Sequence, residues 1–358
     1  MIRLEPRKEM SKNLLYLTPV IAVALTIIFG GVMFLILGKN PVRAITIIFV
    51  TPLTDLFTIS EIIVKSTPLI LIGIGLSFGF RAGVWNIGAE GQFTIGALVG
   101  GALPALYPVE GFWVLPVICL AGIIGGMAWA AIPAFLRTKF NANEILVTLM
   151  LTYVAVLLLS VLVHGPLKDP AGLNFPESRL FNESATLPIL IPGTRAHVGF
   201  LVAILAIIVA WMLLTRHIFG YQVKVMGQSP KAASFGGFIQ NKVVWLCLMI
   251  SGGLAGLAGT FEAAGPVGQL VQALPVGYGF TAIIVAFLGR LTPIGILFAG
   301  FVMALTYIGG EAAQIEMNLP SAVTGVFQGM FLFSLLGIDV LAGFRICLAG
   351  RRPVGATG

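Results

Sequence analysis

Three polar residues, Asn86, Glu90 and Gln92, lie where an otherwise apolar stretch begins. Amide and carboxylate groups at this spacing can hydrogen-bond hydroxyl groups or the edge of a base. A carboxylate in an apolar stretch is costly to bury, so Glu90 must face a cavity, a partner or helix-end amides. Alternatively, backbone amides of the glycine-rich turn around Glu90 hold the carboxylate and fix the helix geometry. The surrounding glycines favour this structural alternative.

No other residue set predicts a catalytic or metal site. The three histidines, His164, His197 and His217, have no metal-ligand spacing among them. The sequence has no G-x-x-x-x-G-K-[ST] phosphate loop, so we do not expect the chain to bind ATP phosphates by itself. We therefore predict no catalytic residue, no metal and no cofactor.

The composition predicts that these residues are positioned by membrane helices. Of 358 residues, 58% are hydrophobic and only 10% are charged, whereas a soluble domain has about 25% charged residues. Apolar stretches of about 20 residues recur along the chain, and each is long enough to cross a bilayer as a helix. The sequence has no basic cluster with interleaved aromatic residues, so nucleic acid is not an expected partner.

We predict an all-α, polytopic membrane bundle of about ten transmembrane helices with both termini cytoplasmic. The eighth predicted span is too short to cross alone, so it starts nearer Val276 or forms a broken or re-entrant helix. This orientation places most of the 21 lysines and arginines in inner segments, as the positive-inside rule requires. The predicted spans are roughly Leu14–Leu37, Glu61–Phe80, Ile87–Leu106, Phe112–Leu136, Glu144–His164, Val198–Thr215, Val243–Glu262, Phe280–Gly289, Ile294–Gly310 and Ala322–Leu336.

The predicted organisation is one transmembrane domain with two cytoplasmic ends. The N-terminal segment is 1–13, the transmembrane domain 14–338 and the C-terminal tail 339–358. A proline-rich outer loop covers 165–196, and a cytoplasmic loop without acidic residues covers 216–242.

The cytoplasmic loop contains a predicted short helix between Gly227 and Gly237. Ser229 is a good N-cap, and Pro230 has the fixed φ that suits the first helical position. Gly236 or Gly237 can take the left-handed conformation that ends a helix. A helix of about two turns is unstable alone. It therefore lies on lipid headgroups or docks into a soluble partner subunit.

This loop resembles the cytoplasmic coupling helix of bacterial ABC importer permeases of the branched-chain amino acid, ribose and nucleoside group. The family pattern Gly-x-Asn-x-x-Ala-Ala-x-x-x-Gly-Ile is matched at four positions, with Ser229 in place of Asn and Phe238 in place of Ile. Ser and Asn are both N-caps, so the helix should be preserved. The resemblance assigns ATPase coupling to Gly227, Ser229, Pro230, Lys231, Ala232, Ala233, Ser234, Phe235 and Gly237.

Three further stretches extend the resemblance over roughly residues 60–340. Residues 81–92 (RAGVWNIGAEGQ) and 140–145 (FNANEI) resemble nucleoside-type and simple-sugar permeases. Residues 277–289 (GYGFTAIIVAFLG) resemble a late motif shared across the group. The resemblance implies the permease subunit of an importer in the cell inner membrane, with Asn86, Glu90 and Gln92 along the path of a nucleoside or simple sugar.

The implied partners are a cytoplasmic ATP-binding subunit, a second permease subunit, an extracytoplasmic substrate-binding protein and membrane lipid. The chain itself is then not an enzyme, because ATP is hydrolysed on the separate subunit. The alternative is an ion-driven secondary transporter, which would bury ionisable residues at mid-membrane and break helices there. Glu90 is the candidate ionisable residue for that alternative.

Overall fold

The computed structural model describes residues 2–6, 12–172, 174–320, 322–342 and 344–348, and it confirms a helical bundle. Parts of the predicted terminal segments, 1–13 and 339–358, lie outside the described residues. The helices are α1 (Lys12–Ile36), α2 (Pro41–Phe49), α3 (Leu56–Arg81), α4 (Ala89–Leu106), α5 (Val114–Phe140), α6 (Glu144–His164), α7 (Gly199–Thr215), α8 (Ile218–Gln228), α9 (Pro230–Phe235), α10 (Gln240–Glu262), α11 (Tyr278–Leu288), α12 (Pro293–Met317) and α13 (Ala322–Ala342). Two short strands, β1 (Ile2–Pro6) and β2 (Phe344–Leu348), were not predicted.

The chain forms two compact units, and the smaller one comprises Met1–Val50 and Gly309–Gly358. In this unit α1 packs against α13, with the rings of Phe34 and Phe327 stacked at 6.5 Å. The strands pair antiparallel, from Ile2 opposite Leu348 to Pro6 opposite Phe344. This pairing brings the two ends of the chain together.

The larger unit, Thr51–Ile308, is built around α3, α4, α5 and α10. Glycines lie where these helices cross, because a Cβ on Gly96 would overlap Gly256 and a Cβ on Gly126 would overlap the backbone of Gly252. Close backbone approach of this kind is how helices associate in lipid, where apolar surface gives no driving force. The core of this unit is therefore held by backbone-to-backbone packing.

Five helices of the described part are long and apolar enough to cross a membrane, or six if the bent pair α7 and α8 forms one span. The predicted count of ten and the side of the termini are therefore not established by helix length. Helix α11 has 11 residues, about 16 Å at 1.5 Å per residue. It begins at Tyr278 and is too short to cross alone, as predicted.

Candidate functional site

The short helix predicted between Gly227 and Gly237 is formed as α9. The Ser229 hydroxyl accepts a hydrogen bond from the Ala232 amide at 3.3 Å, and Pro230 occupies the first turn. Gly237, with φ of +78°, takes the left-handed position after the helix. The Gln240 amide closes the loop by donating to the Pro230 carbonyl at 2.8 Å. The loop is thus held by its own hydrogen bonds.

Helix α9 presents one apolar side chain outward and buries another. Phe235 is 93% exposed, whereas Ala233 is buried. Lys231, Ala232 and Ser234 are also exposed. A phenylalanine this exposed makes little contact with its own chain, so its ring is accessible to a partner.

Helix α8, which precedes α9, was not predicted and joins this loop to the helical core. Its Phe219, Val223 and Met226 are buried. At its end Gly227 lies directly against the carbonyl oxygen of Arg81, where a Cβ would overlap that atom. The glycine at this position is therefore required by packing against the end of α3.

Asn86 and Gln92 are buried and hydrogen-bonded to each other. The Asn86 side-chain amide donates to the Gln92 carbonyl oxygen at 2.8 Å and to the Ser251 hydroxyl at 2.9 Å. The Asn86 carbonyl oxygen accepts from the Gly88 amide at 3.1 Å. Ser251 lies in the middle of α10, so this network sits deep in the bundle.

The Glu90 carboxylate binds the first turn of α11. One oxygen accepts from the Gly277 amide at 2.7 Å, and the other accepts from the Gly279 amide. A Cβ on Gly279 would overlap the backbone of Glu90. Helix-end amides do hold this carboxylate, but they come from α11 and not from the turn around Glu90.

The turn between α5 and α6 carries an ion pair that sequence reasoning missed. Asn143 caps α6 as its sequence position predicts, accepting from the Ile145 amide at 2.9 Å. Arg137 in the last turn of α5 pairs with Glu144 in the first turn of α6. The positive Arg137 lies at a helix C-terminus and the negative Glu144 at a helix N-terminus, so each charge interacts favourably with its helix dipole. This tight turn fixes the α5–α6 hairpin.

A second polar cluster, also missed, lies between α3, α10 and α11, and we call it the outer cluster: Glu61, Lys65, Arg195, Glu262 and Tyr278. Lys65 donates to the Tyr278 hydroxyl at 2.8 Å, and that hydroxyl donates to Glu262 at 3.2 Å. Arg195 forms a bidentate pair with Glu61. The sequence contained a sign of this cluster. Glu61 and Lys65 are four residues apart in an apolar helix, which places two charged side chains on the same face.

One pentapeptide, Gly75-Leu76-Ser77-Phe78-Gly79, has the G-x-S-x-G spacing of a hydrolase elbow. Such an elbow is a strand-to-helix turn that exposes the serine. Here Ser77 is inside α3, fully buried, and donates to the Ile74 carbonyl at 2.7 Å. The spacing therefore reflects helix packing.

Among the residues that the structure describes, no group of three or more His, Cys, Asp or Glu side chains could hold a metal ion. His197, at the end of the outer loop, is buried, and burial lowers its pKa to about 4. Its Nδ1 accepts from the Gly199 amide at 3.2 Å. The ring is therefore neutral at pH 7 and acts as a cap for the start of α7.

Comparisons with known proteins agree with this architecture. The family model described as "Branched-chain amino acid transport system / permease component" matches residues 58–336. The glucose ABC transporter permease protein TsgB13 of Haloferax volcanii is 35% identical, over 100% of this chain and 98% of its own. The guanosine ABC transporter permease protein NupP of Bacillus subtilis is 29% identical, over 87% and 90%. The nucleoside ABC transporter permease protein NupB of Lactococcus lactis is 24% identical, over 88% and 89%.

Proposed function

Because the chain belongs to the family of permease components of branched-chain amino acid transport systems, we propose that it forms the path by which an ATP-driven importer carries a nucleoside or simple sugar. The chain is a permease subunit of an ABC transporter and a multi-pass protein of the cell inner membrane. The substrate class is supported by relatives whose names specify glucose, guanosine and nucleosides.

The observation that carries the coupling role is helix α9. It is capped at both ends, packs against the rest of the chain through the buried Ala233, and exposes Phe235. A partner that receives Phe235 in a pocket would bury an aromatic side chain, a residue type that is enriched at the core of protein interfaces. We assign that partner as a cytoplasmic ATP-binding subunit. ATP is then hydrolysed on that subunit and not on this chain.

Ten spans with both termini cytoplasmic remain the arrangement that we propose. The antiparallel pairing of β1 with β2 supports it, because paired strands must lie on the same side of the membrane. An even number of crossings follows from that pairing. Helix α11 then counts as the short half of one crossing. A second permease and an extracytoplasmic binding protein complete the proposed assembly.

The coupling role is tested by Phe235→Ser, with Phe112→Ser as the matched control. Both side chains are almost fully exposed, at 93% and 96%, so neither substitution should disturb folding. Phe112 lies between α4 and α5, on the side of the membrane that the proposed orientation places outside. We expect Phe235→Ser to lower recovery of the ATP-binding subunit with the tagged permease at least fivefold, by loss of about 1 kcal/mol or more of anchoring.

The control variant should retain the ATP-binding subunit at the wild-type level. Equal recovery with both variants would mean that α9 is not the docking element. Recovery of no ATP-binding subunit with the wild-type chain, from a membrane that contains one, would contradict the proposed function.

A further inference from the structure

The outer cluster buries the carboxylates of Glu61 and Glu262 and the ring of Tyr278 in an apolar bundle. Lys65 is partly buried beside them, and Arg195 reaches Glu61 from the exposed loop before α7. Glu262 is only 6% exposed and Tyr278 is fully buried. The Lys65 ammonium lies 3.9 Å from the Glu262 carboxylate and 5.4 Å from the centroid of the Tyr278 ring. Ionisable groups at membrane depth are costly and are retained where a path or a site requires them. Apolar residues would pack these helices at lower cost.

The cluster lies where α10 ends and α11 begins. Tyr278 is the first residue of α11, and Glu262 is the last residue of α10. Between them the chain runs through a π turn and an irregular stretch to Gly277. Irregular backbone at membrane depth is tolerated where it is buried in protein or lines a water-filled cavity. Irregular segments between membrane helices supply binding sites in many transporters.

From this juxtaposition we propose that Lys65, Glu262 and Tyr278 form a transient binding site on the transport path. They contact the solute directly, and the site suits a neutral, hydroxyl-rich molecule. The inference rests on the proposed function, because it assigns a contact point on that path. In the described structure the three side chains bind one another. On solute entry, hydroxyl groups of the solute replace these mutual hydrogen bonds.

The chemistry of the cluster selects the solute class. Its formal charges cancel, since Lys65 and Arg195 face Glu61 and Glu262. A charged solute would leave an uncompensated charge in a buried site, which is unfavourable. Lys65 offers donors, Glu262 offers acceptors, and a hydroxyl group can satisfy both.

Two aromatic rings near the cluster suit the flat or apolar face of such a solute. The rings of Tyr278 and Tyr307 lie 5.8 Å apart, and the Tyr307 hydroxyl is 2.9 Å from the Thr281 hydroxyl. A sugar or a base can pack against such rings while its hydroxyl groups reach the charged side chains.

The test removes hydroxyl groups from both sides of the proposed contact. The assembled transporter, reconstituted in vesicles with its binding protein, carries either the wild-type chain or Tyr278→Phe. Uptake per ATP hydrolysed is measured for guanosine and glucose and for the singly deoxygenated analogues of each. For each solute, uptake by the variant is divided by uptake by the wild type. The binding protein is the same in both measurements, so its own preference among the solutes cancels in this ratio.

We expect Tyr278→Phe to lower uptake of the parent solute about fivefold, the factor of one net hydrogen bond. For at least one deoxy analogue, the same substitution should lower uptake less than twofold. That analogue already lacks the hydroxyl group that would contact Tyr278. Glu262→Gln, which keeps the side-chain volume, should give the same pattern if Tyr278→Phe does not assemble. Tyr107→Phe is the matched control, since Tyr107 is 62% exposed, and it should change no ratio.

A purely structural role would lower the uptake of every analogue by the same factor, and that result would overturn the inference. An unchanged uptake of all solutes would overturn it as well. Failure of the wild-type transporter to take up any of the probes with ATP would instead refute the proposed function, and the inference would fall with it.

Discussion

Replacing Glu90 by glutamine should destabilise the chain by releasing the first turn of α11. The carboxylate accepts one hydrogen bond with each oxygen, from the amides of Gly277 and Gly279. A glutamine side chain has the same size but only one acceptor oxygen, and its amide group would face the second backbone N–H. One bond is retained without its charge assistance, and the other is lost.

The magnitude follows from this exchange. A hydrogen bond to a charged group contributes roughly 1.5–3 kcal/mol, and a buried donor left unpaired costs roughly 1–3 kcal/mol. We therefore expect Glu90→Gln to lower the free energy of unfolding by about 3 kcal/mol. The Tm in detergent should fall by at least about 5 °C, from the usual relation between stability and Tm.

The measurement is thermal unfolding of the purified chain, followed by loss of the monodisperse peak in size-exclusion chromatography. Glu110→Gln is the matched control, because Glu110 is exposed between α4 and α5, and it should leave the Tm unchanged. A Tm for Glu90→Gln within about 2 °C of the wild type would refute the capping argument. If uptake were lost at an unchanged Tm, Glu90 would be a solute contact.

Two other predictions concern packing and pH. Gly256→Ala should lower the free energy of unfolding by about 1–3 kcal/mol, because a Cβ there would overlap the Gly122 carbonyl oxygen. Gly325→Ala is the control, because nothing lies within 4 Å of the added Cβ. Measured by Tm, the first variant should be destabilised and the second unchanged. Because burial lowers the pKa of His197 to about 4 from 6.5, the unfolded state binds its proton first as the pH falls. This contribution to stability is complete above pH 6.5 and is lost towards pH 4, with about 2 kcal/mol gone at pH 5. His197→Asn keeps an acceptor for the Gly199 amide and should reduce the fall in Tm between pH 7 and pH 5. If the Tm of the variant and of the wild type fell equally, another group would be responsible for the pH dependence.

Local features of the site could be predicted from the sequence. The caps of α9 depend on residues within one short stretch: a serine, a proline and a glycine with positive φ. Such contacts are set by backbone propensity, which a sequence states directly. The hydrogen bond from the Ile145 amide to Asn143 at the start of α6 is local in the same way. Contacts of this kind need no knowledge of tertiary structure.

Partners across the chain could not be predicted in this way. Glu90 and Gly277 are separated by 187 positions, and Lys65 and Tyr278 by 213. Hydropathy shows that a carboxylate must find a partner, but it does not identify that partner. The same limit applies to β1 and β2, which lie at opposite ends of the chain. Only the packing of the helices brings these groups together.

Three of the four stretches that carry the family resemblance pack against one another in the larger unit. Arg81 begins the first stretch; its Nε donates to the Leu291 carbonyl at 2.9 Å, just beyond the end of α11. Glu90, from the same stretch, holds the other end of α11. Gly227, at the start of the coupling stretch, lies against the Arg81 carbonyl with no room for a methyl group. Because Gly227 touches the Arg81 backbone directly, we expect a displacement of the loop that carries α9 to move Arg81. The hydrogen bond from Arg81 to Leu291 would pass that movement to the end of α11, whose first residue is Tyr278.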